Sequence, residues 1–499
     1  MGPHPANRFW ARMKGVTLAT HNDLLKRLGK TMSPDLVTTD RAILDQYAVD
    51  HLTPMAVFFP SNIEQVSVVV RLAKQENLAV LPWGSGSKMT TGHPLNRLDL
   101  VVCTSRLNHI LDVDPENLTI TVEAGVKYRD IQARLATEDD RCYLPLIDLE
   151  TMGDEVICSD RSHKGCFLPL DPPWSHRTTI GGILASNSSG PRRLLYGLPR
   201  DIVLGVRFVT PDGEIVGIGG KTVKNVSGYD ISKLMIGSRG TLGILCEMTL
   251  RLLPLPEKME TILIAFGSLS SAAEFVNATL DTQLLPAAIE VMNDRAYETL
   301  ALADTPLLDT GDYIVAVALE AFEEPVARMM RELEGMAEGS GARLITRMQD
   351  REHRRFWLAV GNLNPSGFNP ASVSVALQLN YPISRWHAVM VSSMEVLSSS
   401  VVPHTFLTHA GSGSSLITLI LMTPLDDTRT NQVLQVTDAL SKICRKEGGN
   451  LVSLETPDGL KEKLPIWGDP QPDWTIMRRI KERMDPTRMM SPGRFVGGL

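Results

Sequence analysis

Long apolar runs, grouped cysteines, surplus basic charge and a dinucleotide glycine signature are all missing from this 499-residue chain. Each absence removes a class of protein. No stretch of about 18 apolar residues occurs, so no membrane-spanning helix is expected. The six cysteines, Cys103, Cys142, Cys158, Cys166, Cys246 and Cys444, include no CxxC pair. Iron–sulfur clusters and structural zinc sites need tighter thiolate grouping. Even the nearest two, Cys158 and Cys166, read as ordinary thiols of a reducing compartment. Lys and Arg number 50 against 57 Asp and Glu, a formal charge of −7. A nucleic-acid channel, which wants a basic surplus, is therefore not expected. No GxGxxG is present, which disfavours the usual doubly wound dinucleotide fold. The opening MGPHPANRFWARMKG lacks the apolar core of an export signal. Its Phe9, Trp10 and Met13, beside Arg12 and Lys14, read as a helical turn packed on its own protein.

What is present is ordinary globular composition, 43% apolar and 21% charged, in a chain long enough for two or three domains. Residues 16–55 read as helical. Met55–Phe59 reads as a strand broken by Pro60, with Ser61 as N-cap of a helix. In that helix Ile63, Val66, Val69, Val70 and Ala73 recur at helical spacing. Leu78–Pro82 reads as a second strand that ends at glycines. Short β-branched runs follow, with helix candidates at 126–137 and 229–237. The block from about 55 to 255 is thus mixed α+β.

Pro254 and Pro256 mark a boundary. Beyond it, strand and helix patterns predict an antiparallel sheet with helices on one face. A second such unit follows, with a helix at about 428–447. A last helix stops before Pro486.

Three glycine-rich clusters point to a large ligand. The first, Pro82-Trp83-Gly84-Ser85-Gly86-Ser87, directly follows a strand. Glycine lets successive amides turn toward one anion, and serine hydroxyls add donors, which suits a pyrophosphate. The second runs from Thr178 through Gly181 and Gly182 to Gly190, and its small side chains let backbone approach a flat or extended ligand. The third runs from Gly219 to Asp230 and is followed by Ile236-Gly237-Ser238-Arg239-Gly240-Thr241-Leu242-Gly243-Ile244.

Together, LPLDPPWSHRTTIGGILASNSSGPRRLLYG and GGKTVKNVSGYDISKLMIGSRGTLGILCEMTLRLLPLP resemble the FAD-linked oxidase family, whose type members are vanillyl-alcohol oxidase and the PCMH-type flavoproteins. The likeness is greatest to flavin-binding subunits of bacterial glycolate oxidase and to D-lactate and D-2-hydroxy acid dehydrogenases. It implies an α+β fold, in which a PCMH-type FAD-binding domain of two α+β subdomains precedes an α+β cap with an antiparallel sheet. The expected divisions are an N-terminal helical arm at 1–50, the FAD domain at 51–256, the cap at 257–470, and a C-terminal helix and tail at 471–499 that returns to the FAD domain.

The same resemblance assigns residues. Pro82, Gly84, Ser85, Gly86 and Ser87 would hold the FAD pyrophosphate. Thr179, Gly181, Gly182, Ser186, Asn187 and Gly190 would line the remainder, with Gly240, Thr241 and Ile244 toward the adenine or ring side. Ser85 and Ser87 stand where covalent flavoproteins place a histidine or cysteine, so FAD is expected to be non-covalent, with His176 just upstream of the second loop.

The cap departs from the metal motifs of its larger relatives. His409 is kept, but Leu416 stands at the second histidine. Glu455 is kept, but Thr456 stands where the family's usual base would be. No metal is expected, because a divalent ion needs several converging ligands. His409 becomes the candidate base, chosen over His387 and His404. Arg385 becomes the candidate for a substrate carboxylate, chosen over Arg354, Arg355 and Lys461.

The implied activity is oxidation of a small 2-hydroxy acid, such as glycolate or D-lactate, by hydride transfer to flavin N5. Electrons would pass to an iron–sulfur partner subunit, with a second flavoprotein subunit as a further partner. The expected location is cytoplasmic, at the inner face of the membrane through a partner. The alternatives are a flavin-bearing subunit of a redox complex without turnover of its own, and an oxygen-using oxidase of another alcohol.

Overall fold

The computed structural model describes residues 34–136, 165–221, 230–300, 302, 311–363, 372–422 and 425–499. The N-terminal arm before Pro34, Cys142, Cys158 and the stretch 222–229 of the third glycine cluster lie outside them.

The first sheet joins β1 (Val37–Thr38), β2 (Ala56–Phe58), β3 (Val80–Trp83) and β4 (Leu100–Cys103) in the order β1-β2-β4-β3. Its last three strands are parallel. Helix α1 (Ile63–Gln75) packs Ile63, Val66, Val69, Val70 and Ala73 onto it. The cap is Asn62, not Ser61. Asn62 Oδ1 accepts from the Gln65 amide at 2.9 Å, while Gln65 Oε1 accepts from the Ser61 amide at 2.7 Å. The described part of the expected helical arm is instead the edge strand β1 and single turns at Arg41–Leu44 and Asp45–Tyr47. Val37 and Thr38 find backbone partners in β2, which outweighs their place in a helical pattern.

The second sheet is antiparallel. Strands β5 (Ile110–Asp114), β6 (Thr119–Glu123), β8 (Val203–Val209), β9 (Ile215–Gly219) and β10 (Ile244–Arg251) run in the order β5-β6-β10-β8-β9. A short ribbon pairs β7 (Cys166–Phe167) with β11 (Leu253–Pro254). Helices α2 (Tyr128–Ala136) and α3 (Ile180–Ser186) bury Ile131, Leu135, Ile180, Ile183 and Leu184 against the sheet.

From Lys258 onward a single eight-stranded antiparallel sheet forms. Strands β12 (Lys258–Phe266), β13 (Ala288–Asn293), β14 (Tyr313–Ala321) and β15 (Leu344–Gln349) make one half. Strands β16 (Ser372–Asn380), β17 (His404–His409), β18 (Ser414–Met422) and β19 (Asn450–Glu455) make the other. The two expected units are thus fused, and the joint is the pairing of β13 with β17.

Helices cover both faces rather than one. Helices α4 (Leu269–Leu280), α5 (Glu323–Gly339), α7 (Trp386–Ser399) and α8 (Asp427–Lys446) cover the face carrying Ile262, Ile264 and Phe266. Helix α6 (Asp350–Gly361) buries Phe356, Trp357 and Val360 against the opposite face, with Leu263 and Leu407. Strand residues alternate faces, so apolar residues at successive positions of β12 serve both layers.

The chain then returns to the first sheet. Helix α9 (Trp474–Met484) leads into a turn, and Met489 O accepts from the Val80 amide at 2.8 Å. The Ser491 amide donates back to Val80 O at 2.9 Å. No described helix is long and apolar enough to cross a membrane.

Candidate active site between the sheets and the cap

Glycines bring β3, α3 and the loop before β10 close enough to wall a channel. A Cβ on Gly84 would fall 2.3 Å from Thr179 Oγ1. Gly181 packs its Cα on Ala124, where a Cβ would meet the Ala124 carbonyl at 2.8 Å. Gly240 has φ +71°, and a Cβ there would lie 2.9 Å from the Pro82 ring. Only glycine accepts both that dihedral and that approach. The resulting channel offers about 720 Å³ of space, part of it open to solvent. Pro82, Gly84, Gly181 and Gly182 line one part of it, and Ser186, Gly240 and Ile244 another.

The channel runs into a wider chamber of about 920 Å³ under the cap. Asn187 and Gly190 line the chamber from below, and His409, Glu455 and Gln378 from the cap. Lys88, Ser186 and Arg239 line both spaces and so mark their junction.

Other expected site residues stand elsewhere. Ser85, Gly86 and Ser87 are not among the lining residues, and the Ser85 hydroxyl donates to Ser87 Oγ at 3.2 Å. Thr179 serves as the N-cap of α3, accepting from the Gly182 amide. Thr241 is buried, and its hydroxyl donates to Ser238 O at 2.7 Å, which turns it into the protein. Arg385 lies outside the chamber lining, exposed, with its guanidinium 3.8 Å from Glu447. Its 3₁₀ turn at Ile383–Arg385 aims it at α8 and its end rather than at the chamber. His176 is exposed and lines neither space.

The fused sheet supplies what the sequence did not show. Glu290 on β13 is the cross-strand partner of His409 on β17, 119 residues away. Glu290 Oε1 sits 2.6 Å from His409 Nδ1. Burial pushes the Glu290 carboxyl well up, while Arg193 draws it back toward ionisation. Burial pushes the His409 imidazole well down, and Arg193 adds to this. The Nδ1 edge is occupied, so Nε2 is the ring nitrogen left for a ligand.

Two cations were also missed. Lys88 sits 4.9 Å from the Trp174 ring centroid, and burial pushes its ammonium down to about 8, with Arg239 adding to the shift. Arg239 stacks 4.9 Å from the Trp467 centroid, and burial next to Arg494 brings it to about 10. Their signals were positional: Lys88 directly follows the first glycine cluster, and Arg239 precedes Gly240 inside the third.

His409 and Glu455 share the chamber, but Leu416 adds an apolar chain to its wall. No group of three His, Cys, Asp or Glu residues is placed to hold a metal among the described residues.

Two family models match this arrangement. The FAD binding domain matches residues 54–142 and 160–219, and the C-terminal domain of FAD linked oxidases matches 255–495. The chain belongs to the FAD-linked oxidase family. It is an oxidoreductase, and FAD is its cofactor.

Glycolate oxidase subunit GlcD of Bacillus subtilis is 26% identical over 89% of this chain and 89% of its own length. A D-2-hydroxyglutarate dehydrogenase of Xanthomonas citri is 27% identical over 92% of this chain and 93% of its own. The solved structure of p-cresol methylhydroxylase with bound substrate superimposes with a TM-score of 0.72 at 16% identity, covering 96% of this chain and 98% of that one. That likeness shows a PCMH-type fold. The residues present fit FAD. Besides the glycine cradle, Asn187 Oδ1 and Ser189 Oγ are buried in the chamber wall without a partner, as donors and acceptors awaiting a polar ligand would be.

Proposed function

We propose that this chain oxidises a small 2-hydroxy acid, such as glycolate or D-lactate, to the 2-oxo acid. The observation that carries the reading is the Glu290–His409 pair at the chamber wall, adjoining a channel that suits FAD. His409 Nε2 takes the hydroxyl proton, and Glu290 holds the ring so that Nδ1 keeps its own proton. Bound FAD would accept the hydride from the substrate carbon. Relatives named for glycolate, D-lactate and D-2-hydroxyglutarate support the substrate class. FAD would be held without a covalent link, since among the described residues the channel lining contains neither cysteine nor histidine and the chamber's His409 is engaged by Glu290.

Electrons would leave to an iron–sulfur partner, with a second flavoprotein subunit beside it, in the cytoplasm at the inner membrane face. The four described cysteines are free and dispersed, so a cluster would belong to another chain. The rival reading, an electron-transfer subunit without turnover, is favoured by Leu416 and Thr456 at positions where the resemblance expects histidine.

Anaerobic mixing of the holoprotein with a panel of 2-hydroxy acids decides between them. Bleaching of the flavin absorbance by at least one acid is expected. A flavin that dithionite bleaches and no hydroxy acid does would leave the electron-transfer reading.

The Glu290–His409 pair also predicts a pH effect. The competent form carries one proton, on Nδ1, with Glu290 ionised. Arg193 favours that form, against the buried Asp171, which raises the Glu290 pKa. Removing Arg193 raises the pKa of both members, so Arg193→Met is expected to move the acid limb of flavin reduction to higher pH. A pH profile of the reduction rate checks this, and an unmoved limb would contradict it.

A further inference from the structure

We propose that the substrate's C2 side chain runs past Gly361 into a second, apolar-walled pocket, so that the preferred substrates are 2-hydroxy acids carrying an apolar chain of several carbons. The proposal rests on the hydroxy-acid reading above and narrows its substrate class.

The pocket lies between residues 170–175 of the FAD domain and helix α6 of the cap. It offers about 550 Å³ of space, part of it open to solvent. Leu170, Pro172, Trp357 and Leu358 give it apolar walls. The Trp357 ring is held in place, because its Nε1 donates to Thr261 Oγ1 at 2.8 Å and the ring packs edge-to-face against Phe356. A wall fixed in this way loses little freedom when a ligand settles on it.

Gly361 joins this pocket to the chamber, since it lines both. It is the last residue of α6, and its backbone is not left-handed. A Cβ there would meet only Asp171 O, at 3.8 Å, which is an ordinary contact. Neither dihedral nor close approach therefore requires glycine, which is a poor helix former. What the missing side chain leaves is an opening between the two spaces. His409 lines the same chamber, so an acid whose hydroxyl meets His409 Nε2 has a route for its C2 substituent past Gly361.

The charged groups of the pocket wall engage one another. Arg192 pairs with Glu320, which also accepts from the Tyr196 hydroxyl at 2.7 Å. His353 faces the same carboxylate at 3.4 Å and shares a hydrogen bond with Thr261. Asp171 accepts from the amides of Gly190 and Arg192. Such groups do not call for an ion, whereas the apolar walls gain from a hydrocarbon. Arg354 differs, because its buried Nε has no hydrogen-bond partner among the described residues. An acid ending in a second carboxylate is therefore the rival occupant.

The test is anaerobic flavin reduction of the holoprotein by glycolate, lactate, 2-hydroxyhexanoate and 2-hydroxyadipate, read as the second-order rate at low acid concentration. Burial of each methylene is worth about fourfold, so 2-hydroxyhexanoate, with three methylenes more than lactate, is expected to react roughly 60-fold faster. Gly361→Leu closes the opening, and Leu358→Gln places an amide in the pocket. Each is expected to lower the hexanoate-to-lactate ratio by about tenfold. FAD content checks that each variant is folded, and the wild-type series decides alone if one is not.

A hexanoate gain over lactate below about fourfold would overturn the pocket assignment and leave the hydroxy-acid reading standing. A ratio within about threefold of wild type in either folded variant would do the same. A faster reaction with 2-hydroxyadipate than with 2-hydroxyhexanoate would give the pocket to a second carboxylate at Arg354 and overturn the apolar assignment. A flavin that dithionite bleaches and none of the four acids does would remove the hydroxy-acid reading and the pocket assignment with it.

Discussion

Replacing His409 by asparagine is expected to slow substrate-driven flavin reduction by about 100- to 10,000-fold, the range a positioned general base contributes. Asparagine keeps a polar side chain opposite Glu290, so the β13–β17 joint retains a hydrogen-bond partner for the buried carboxyl. It has no nitrogen lone pair to receive the hydroxyl proton. FAD content and thermal stability are therefore expected to stay near wild type while the single-turnover rate falls. Stopped-flow anaerobic reduction by the best hydroxy acid measures it. A variant that reduces its flavin within tenfold of wild type would take the base assignment away from His409.

Replacing Asp485 by alanine is expected to cost about 3–5 kcal/mol of stability, the usual result of stripping one partner from a buried ion pair. Lys481 and Asp485 are 2% and 0% exposed and lie 2.6 Å apart. The ammonium also donates to Thr241 O at 2.7 Å and Met490 O at 2.9 Å. Asp485 accepts in addition from the amides of Met489 and Met490. This cluster pins the C-terminal turn against the loop that holds Gly240, and Ser491 Oγ donates to Gly240 O at 3.2 Å. Arg494, further along the same tail, lines the channel. Loss of the pair is thus expected to lower FAD retention as well as the urea midpoint.

Lys481→Met strips the other partner and leaves the Asp485 carboxylate buried with only the Met489 and Met490 amides, so it is expected to cost a similar amount. Urea denaturation followed by tryptophan fluorescence measures both. A loss below about 1 kcal/mol for either variant would refute the pairing argument.

Three placements show where pattern reading stops. Thr241 belongs to a glycine cluster whose neighbours do line the channel, yet the local turn sends its hydroxyl to Ser238 O. Motif membership places backbone, and the direction of one side chain depends on the turn. Arg385 has the right charge in the right domain, but its stem leaves a 3₁₀ turn toward Glu447. Ser85 and Ser87 hydrogen-bond to each other and are not among the channel-lining residues.

The reverse failures are as informative. Glu290 sits in AIEVM, a run that reads as plain buried strand, where a lone carboxylate has no visible purpose. Its purpose is the register Glu290↔His409, set by two four-stranded halves closing into one sheet.

Local rules were enough for the α+β class, the glycine cradle and the family. Those depend on dihedrals, small side chains and periodicity, all written within a few neighbouring residues. His409 could be singled out in the same way, as the surviving half of a motif. Its pairing with Glu290 and the turn of Arg385 toward Glu447 came from long-range packing. Each joins groups more than 60 residues apart, and their approach depends on strand register and loop closure across the whole sheet, which no window of sequence contains.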